Sequence, residues 1–385
     1  MTLKRLITFL ALVAAGGAAQ AQSLQPPEIA AREYLLVDMN AGQVLAERGA
    51  DVAVDPASLT KLMTAYLVFV ALREHKLAPG QTLPVSPRAW AERKGAGSLM
   101  YLDTTMKPTV DELLQGLIVD AGNDAAVALA EGVAGSVDGF VAMMNRQAQA
   151  WGLKNTEFRN VAGLAEPGHR SSARDLLTIA QHVIRDFPEH YHYYAQRDFR
   201  FNNIHQDNHN VLLRRDPSVD GMTTAYTEAA GYSLLASAQR DFPNGKRRLL
   251  AIVLGAGAKE ARADEAQKLL NWGYTAFDDV CLVEAGKPVG APVAVWKGTQ
   301  ARVGLGSAEA VYVAVPKGEG DRLKTTLERT DPLVAPLAKG QRVGTLKVAT
   351  ASGTAIASVP LTVLEDVPQA GLFGRAWDAI RLWIK

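Results

Sequence analysis

Within the stretch DPASLTKLMTAY, residues 55–66, a hydroxyl and an amine stand three positions apart, on Ser58 and Lys61. Two readings compete for Ser58. Asp, Ser and a proline near the first position are ordinary helix-start residues, so the stretch can be a cap and nothing more. Alternatively, a hydroxyl at a helix N-terminus sits in the positive end of the dipole and residue i+3 projects from the same face, so that Lys61 reaches Ser58 and takes its proton. That chemistry is nucleophilic acyl transfer. It requires an amine that is partly neutral near pH 7, hence burial or a cationic neighbour. It also requires a polar side chain to share the lysine's protons, a donor for a substrate carboxylate, and a strand amide to complete an oxyanion hole.

The elements that must hold such a site alternate along the chain. Between Glu28 and about Phe277, EYLLVDMNAGQVLAERGAD reads as a hairpin around Asn40-Ala41-Gly42, and Pro56 then opens the helix carrying Ser58. Helical periodicity follows in TVDELLQGLIV, NDAAVALAEGVAGSVDGFVAMMNRQAQAWG and SARDLLTIAQHVIRDF. Strand-like runs return in GYSLLASAQR and RRLLAIVLGAG, and a helix, ARADEAQKLLNWGYTAF, closes the region. This order predicts an α/β domain whose sheet takes strands from both ends of the segment. From about Val280 short alternating runs separated by Gly, Lys and Asp predict a small all-β domain, a sandwich.

The two ends carry addresses. Lys4 and Arg5, an apolar run from Leu6 to Ala15, and Ala19-Gln20-Ala21 read as a secretory signal cut after Ala21; the run is too short to span a bilayer. A single cysteine, Cys281, leaves no internal disulfide, and no lipobox cysteine stands near the cut. At the other end, GLFGRAWDAIRLWIK sets Phe373, Trp377, Ile380 and Ile384 on one helical face, flanked by Leu372, Ala376 and Trp383. A terminal helix of this kind either docks on its own protein's core or lies in a membrane interface; its Trp and Arg content favours the membrane surface, anchoring without spanning. The 385 residues are 48% hydrophobic with a formal net charge of +1, so the chain can bury a sizeable core in two or three domains and offers no electrostatic footprint for a nucleic-acid partner.

With these blocks in order, the chain resembles the low-molecular-mass penicillin-binding proteins, the serine-type D-alanyl-D-alanine carboxypeptidases. The likeness runs through DPASLTKLMTAY, GSLMYL, GLIVDAGNDAAVALAE, MNRQAQAWGLKNTEFRN, HRSSARDL, VDGMTTAYTEAAGYSLLASA and KLLNWGYTAF to the β-rich region and the tail. It implies a β-lactamase-like transpeptidase domain at 22–278 behind a leader at 1–21, a β-sandwich at 279–368 and an amphipathic anchoring helix at 369–385. By the same resemblance Ser58 is the acylated nucleophile and Lys61 its general base. Asn123 holds the lysine and the substrate amide, and the backbone amides of Ser58 and Tyr226 form the oxyanion hole. Arg174 and Asp175 match a structural block. The implied substrate is the pentapeptide stem of peptidoglycan, with β-lactams as acylating ligands, no cofactor and no metal, at the periplasmic face of the inner membrane.

Two motifs depart from the family pattern. The second, normally Ser-x-Asn, reads Ala121-Gly122-Asn123; the third, normally Lys-Thr-Gly, reads Thr223-Thr224-Ala225. Losing the serine removes a proton relay, typically worth about 10² to 10⁴ in rate. Asp120 and Asp124 should point elsewhere and not replace it. Losing the lysine removes a charged partner for the peptide carboxylate, worth about 1.5 to 3 kcal/mol, and should also let Lys61 hold its proton more tightly. Thr223 and Thr224 offer that carboxylate hydrogen bonds without charge, and Ala225 adds a Cβ where glycine lets substrate approach. Two functions therefore stand: a carboxypeptidase acting through Ser58, or a paralogue that binds peptidoglycan or envelope proteins without turnover.

Other signals are weaker. Gly255 and Gly257 suggest a dinucleotide turn, but Glu260 occupies the place of the third glycine, so a tight turn between strand and helix is the better account. His190, His192, His205 and His209 lack metal-ligand spacing and read as polar surface; Tyr191, Tyr193 and Tyr194 read as packing at a domain surface rather than a glycan groove.

Overall fold

Leu35 and Val37 of strand β1 (Glu33–Asp38) face one apolar cluster while Tyr34 and Leu36 face another, the period of two expected of a strand covered on both sides. The computed structural model describes residues 24–95, 97–243 and 245–384; the leader and its cut after Ala21 lie outside these residues. β1 pairs with β2 (Gln43–Arg48) across the Asn40-Ala41-Gly42 turn. A single 3₁₀ turn, Ala57–Thr60, then precedes helix α1 (Lys61–Arg73), so Ser58 lies just ahead of the α-helix rather than in its first turn.

Along the chain come α2 (Pro87–Ala91), α3 (Val110–Ile118), α4 (Asn123–Ala134), α5 (Val137–Ala150) and α6 (Ala173–Asp186). The long periodic run from residue 123 is two helices bent by 83°: Gly135, at φ +75°, ends α4, and the Ser136 side chain caps α5 by accepting from the Gly139 amide at 3.1 Å. Two short helices, α7 (His192–Ala195) and α8 (Leu212–Arg215), flank a hairpin of β3 (Asp198–Phe201) and β4 (Ile204–Asp207). Then β5 (Val219–Thr227), β6 (Gly231–Phe242) and β7 (Gly245–Ala256) complete a five-stranded sheet in the order β2-β1-β7-β6-β5. Helix α9 (Lys259–Ala276) covers one face, while α1 and its neighbours cover the other.

The β-rich region holds β8 (Phe277–Val283), β9 (Val293–Trp296), β10 (Arg302–Val303), β11 (Leu305–Gly306), β12 (Val311–Pro316), β13 (Lys324–Arg329), β14 (Leu333–Val334), β15 (Arg342–Ala349) and β16 (Ala355–Val363). They form sheets β11-β16-β15-β13 and β10-β9-β14 around their own apolar core, with β8 and β12 paired at the junction. The α/β-then-sandwich architecture expected from the order of elements is the one observed. Within the central sheet a fully buried pair joins β7 to β1, Arg247 Nε to Asp38 Oδ2 at 2.7 Å, and across the junction Arg247 Nη1 donates to the Phe277 carbonyl at 3.0 Å.

Helix α10 (Leu372–Ile384) closes the described chain. Its half-buried residues are Arg375, Asp378 and Leu382, one stripe at helical spacing. The Asp378 carboxylate accepts from the Lys297 amide at 2.6 Å, and Arg381 lies over Trp296, 5.5 Å from its ring centre. The apolar residues turn outward: Phe373 is 94% exposed, Trp377 64% and Trp383 89%. Thus the helix does dock on its own protein, but largely through polar groups. Among the described residues no single helix is long and apolar enough to cross a membrane.

Candidate active site

At the turn ahead of α1, Lys61 Nζ donates to Ser58 Oγ at 3.0 Å and to the Ala162 carbonyl at 2.7 Å. Lys61 is 4% exposed, and this desolvation pulls its pKa down to about 7 against the opposing charges of Glu92 and Asp124. Burial therefore brings Lys61 to a partly neutral state near pH 7 although Thr223 supplies no neighbouring cation.

The carbonyl that receives the amine is held by local chemistry. Asn160 Oδ1 accepts from the amides of Ala162, Gly163 and Leu164, which fixes the direction of the Ala162 carbonyl. Gly163 has φ +87°, and a Cβ there would fall well inside van der Waals contact of the Ala57 carbonyl. On the other side, Ala57 adopts φ +45° while its amide donates to Asp55 Oδ1 at 2.9 Å; Asp55 Oδ2 accepts from Thr227 Oγ1 at 3.1 Å. Asp55 thereby ties the serine turn to the end of β5. Below the turn, His169 Nδ1 accepts from the Arg159 amide at 2.9 Å, so Nε2 carries the proton and donates to Thr60 Oγ1 at 2.8 Å.

Asn123 begins α4 at a corner where Ala121 takes φ +57°. Its amide donates to the Ser98 carbonyl at 2.9 Å, and Gly97, at φ +115°, approaches so closely that a Cβ would sit 2.7 Å from Asn123 Nδ2. Asp124 accepts from the amides of Met100 at 2.8 Å and Leu102 at 2.9 Å, holding that loop against α4. Asp120 accepts from Gln206 Nε2 at 2.6 Å, and burial together with Asp124 raises its pKa to about 7. Asp124 is thus taken up by the loop amides, and Asp120 by Gln206 through one of its oxygens.

Strand β5 is an edge of the sheet, and beside it lies a cleft of about 260 Å³. Ser58, Ser98, Ala121, Thr224, Ala225 and Tyr226 line it, so the serine, the altered corner and the altered strand converge. Asn123 is 3% exposed behind that wall. Thr223 is half-buried and not among the lining residues. Sequence reasoning did not bring His209, Lys259 or Arg262 here, yet all three line the cleft, His209 not being mere polar surface. Arg262 donates to the Ala225 carbonyl at 3.1 Å. Its spacing of three from Lys259 at a helix start was visible in the sequence, but not the strand it would meet.

The remaining sequence signals have other uses. Gly255, at φ +67°, makes room for the Arg32 guanidinium. Arg174 reaches Glu47 at 2.6 Å and Asp51 at 2.8 Å, and Asp175 accepts from Asn155 and Thr156. His190 stacks on Phe69 at 4.9 Å between ring centres. Exposed Asp198, His205 and Asp207 come together on the β3–β4 hairpin, where Arg214 is 2.6 Å from Asp207 and 3.8 Å from Asp198.

A half-buried serine with a buried amine in contact, opening on a strand-edge cleft, defines a serine acyl-transfer site. The D-alanyl-D-alanine carboxypeptidase family (peptidase S11) matches residues 20–258, and the C-terminal domain of penicillin-binding protein 5 matches residues 277–369. The D-alanyl-D-alanine carboxypeptidase DacA of Haemophilus influenzae is 41% identical over 362 residues, covering 94% of this chain and 91% of the relative. The crystal structure of penicillin-binding protein 5 from the same organism superposes with a TM-score of 0.84 at 41% identity, over 90% of this chain and 99% of that one. Penicillin-binding protein D2 of Listeria monocytogenes, solved with ampicillin bound, is 29% identical with a TM-score of 0.58, over 65% of this chain and 100% of that one. The chain belongs to the D-alanyl-D-alanine carboxypeptidase family.

Proposed function

We propose that this enzyme removes the terminal D-alanine from peptidoglycan pentapeptide stems through an acyl-enzyme on Ser58. The observation that carries the reading is the 3.0 Å contact between Ser58 Oγ and an amine whose pKa lies at about 7. Neutral Lys61 accepts the hydroxyl proton as Oγ attacks the carbonyl of the penultimate D-alanine. The resulting oxyanion is met by the amides of Ser58 and Tyr226, and the ammonium of Lys61 then protonates the departing amine of D-alanine. A water, deprotonated by Lys61, hydrolyses the ester and frees Ser58. Asn123 orients the substrate amide. The same attack on a β-lactam ring leaves Ser58 acylated.

A fluorescent β-lactam, with the adduct located by mass spectrometry, tests acylation, and D-alanine release from a pentapeptide tests turnover. Label on Ser58 and release abolished by Ser58→Ala are the expected results; release unchanged in Ser58→Ala would reject the mechanism. Ala121 and Ala225 in the cleft wall, with Thr223 beside it, support the second reading, a binding or scaffolding protein with weak turnover. The combined reversions Ala121→Ser, Thr223→Lys and Ala225→Gly should then raise D-alanine release sharply; no change would reject that account of the departures.

The reading extends to location: export behind the leader at 1–21, and attachment to the outer face of the inner membrane by α10. The outward Phe373, Trp377 and Trp383 support attachment, because such rings partition into the headgroup boundary.

A further inference from the structure

The cleft carries Lys259 and Arg262 in its wall and no carboxylate among its lining residues. The two cations stand three apart in the first turn of α9 and so share a face. They differ in freedom. Arg262 is 6% exposed, donates to the Ala225 carbonyl, and lies 5.8 Å from the Tyr232 ring centre, so its guanidinium is pinned against the strand. Lys259 is exposed and has no salt bridge among the described residues. It also lines a smaller cavity of about 40 Å³ together with Thr224, Arg262 and one carboxylate, Glu260. His209, shared by both cavities, has its pKa lowered by desolvation and then by the charges of Arg262 and Lys259.

We propose that Lys259 is the cation that pairs with the terminal carboxylate of the peptide, taking over from helix α9 the charge that Thr223 cannot supply from strand β5. The proposal rests on the acyl-transfer reading for the identity of the ligand, but its test does not depend on turnover. Lys259 lines the same cleft as Thr224 and Ala225, one helical turn from the Arg262 that bonds to β5, and the first turn of α9 adds its own positive field. The recognition is charge-based, so it should separate a peptide acid from the corresponding amide.

Binding is measured in the Ser58→Ala protein, which cannot acylate. The probes are an N-acylated tripeptide ending in D-alanyl-D-alanine and its C-terminal carboxamide, titrated by calorimetry. Lys259→Ala should weaken the acid about tenfold while leaving the amide within about twofold, and Lys259→Arg should keep the preference. Adding Thr223→Lys to Lys259→Ala should restore binding of the acid. With Ser58 present, the same Lys259→Ala change should fall on KM more than on kcat. Unchanged affinity for the acid in Lys259→Ala, equal losses for acid and amide, or equal binding of both in the parent would each overturn the proposal. A parent that binds the acid through Lys259 yet takes no β-lactam label would instead reject acyl transfer and leave this assignment standing.

Discussion

Because desolvation draws Lys61 down to about 7, the amine is cationic below that pH and neutral above it. β-Lactam acylation of Ser58 should therefore climb as pH rises through about 7 and level off beyond it, which a stopped-time labelling series would read. Folding follows the same proton: between about 7 and the ordinary lysine value of 10.5 the unfolded chain binds it and the folded one does not, so this group's contribution to stability grows with pH in that window. Gly163→Ala is the second residue-scale prediction. At φ +87° against the Ala57 carbonyl, the added methyl must displace either the serine turn or the lysine's acceptor. Acylation should fall about 100-fold and stability by about 2 to 4 kcal/mol, read by labelling and urea unfolding. The Ser58–Lys61 pair was legible because three-residue spacing near a helix start brings two groups together locally. The Ala162 carbonyl was not, since it arrives from 101 positions away on a turn whose only local cue is Asn160.

At the scale of elements, periodicity located the long helices and the central strands, but not their interruptions. Gly135 sits inside an unbroken apolar pattern, and only its left-handed backbone reveals that α4 and α5 part company there. The short elements α2, α7, α8, β3 and β4 have too few residues to repeat a period, so no pattern marks them. Helix α10 shows both sides of this limit: its apolar face was readable, while its docking depends on the Lys297 amide, for which sequence offers no cue. Phe373→Ser with Trp377→Ser should lower partitioning onto phosphatidylglycerol vesicles by about 1.5 to 3 kcal/mol per side chain and leave the melting temperature nearly unchanged, because both rings are already exposed. Cosedimentation and thermal scans would check it; full binding by the double variant would remove α10 from the account of attachment.

For the whole molecule, the order of elements announced an α/β body followed by a β-rich one, since hydrophobic patterning changes from mixed to period two near Val280. What sequence could not announce is the buried ion pair at the base of the first, whose guanidinium also bonds to the start of the second. Asp38 and Arg247 lie 209 positions apart and are wholly inaccessible to solvent, so Asp38→Ala should cost about 3 to 5 kcal/mol in urea unfolding by leaving a buried guanidinium without its carboxylate. The Asp38 carboxylate also accepts from the Asn40 and Ala41 amides at 2.9 and 3.0 Å, so the β1–β2 turn should loosen with it.

Phe277, whose carbonyl takes the second bond from Arg247, is the first residue of β8, while its guanidinium partner belongs to the central sheet. A fragment ending at Ala276 would retain every side chain around Ser58 and still be a poorer protein, with a dehydrated charge short of one acceptor at the heart of its sheet. The β-rich part is in this sense a structural part of the enzyme, because the Phe277 carbonyl solvates a charge that belongs to the central sheet.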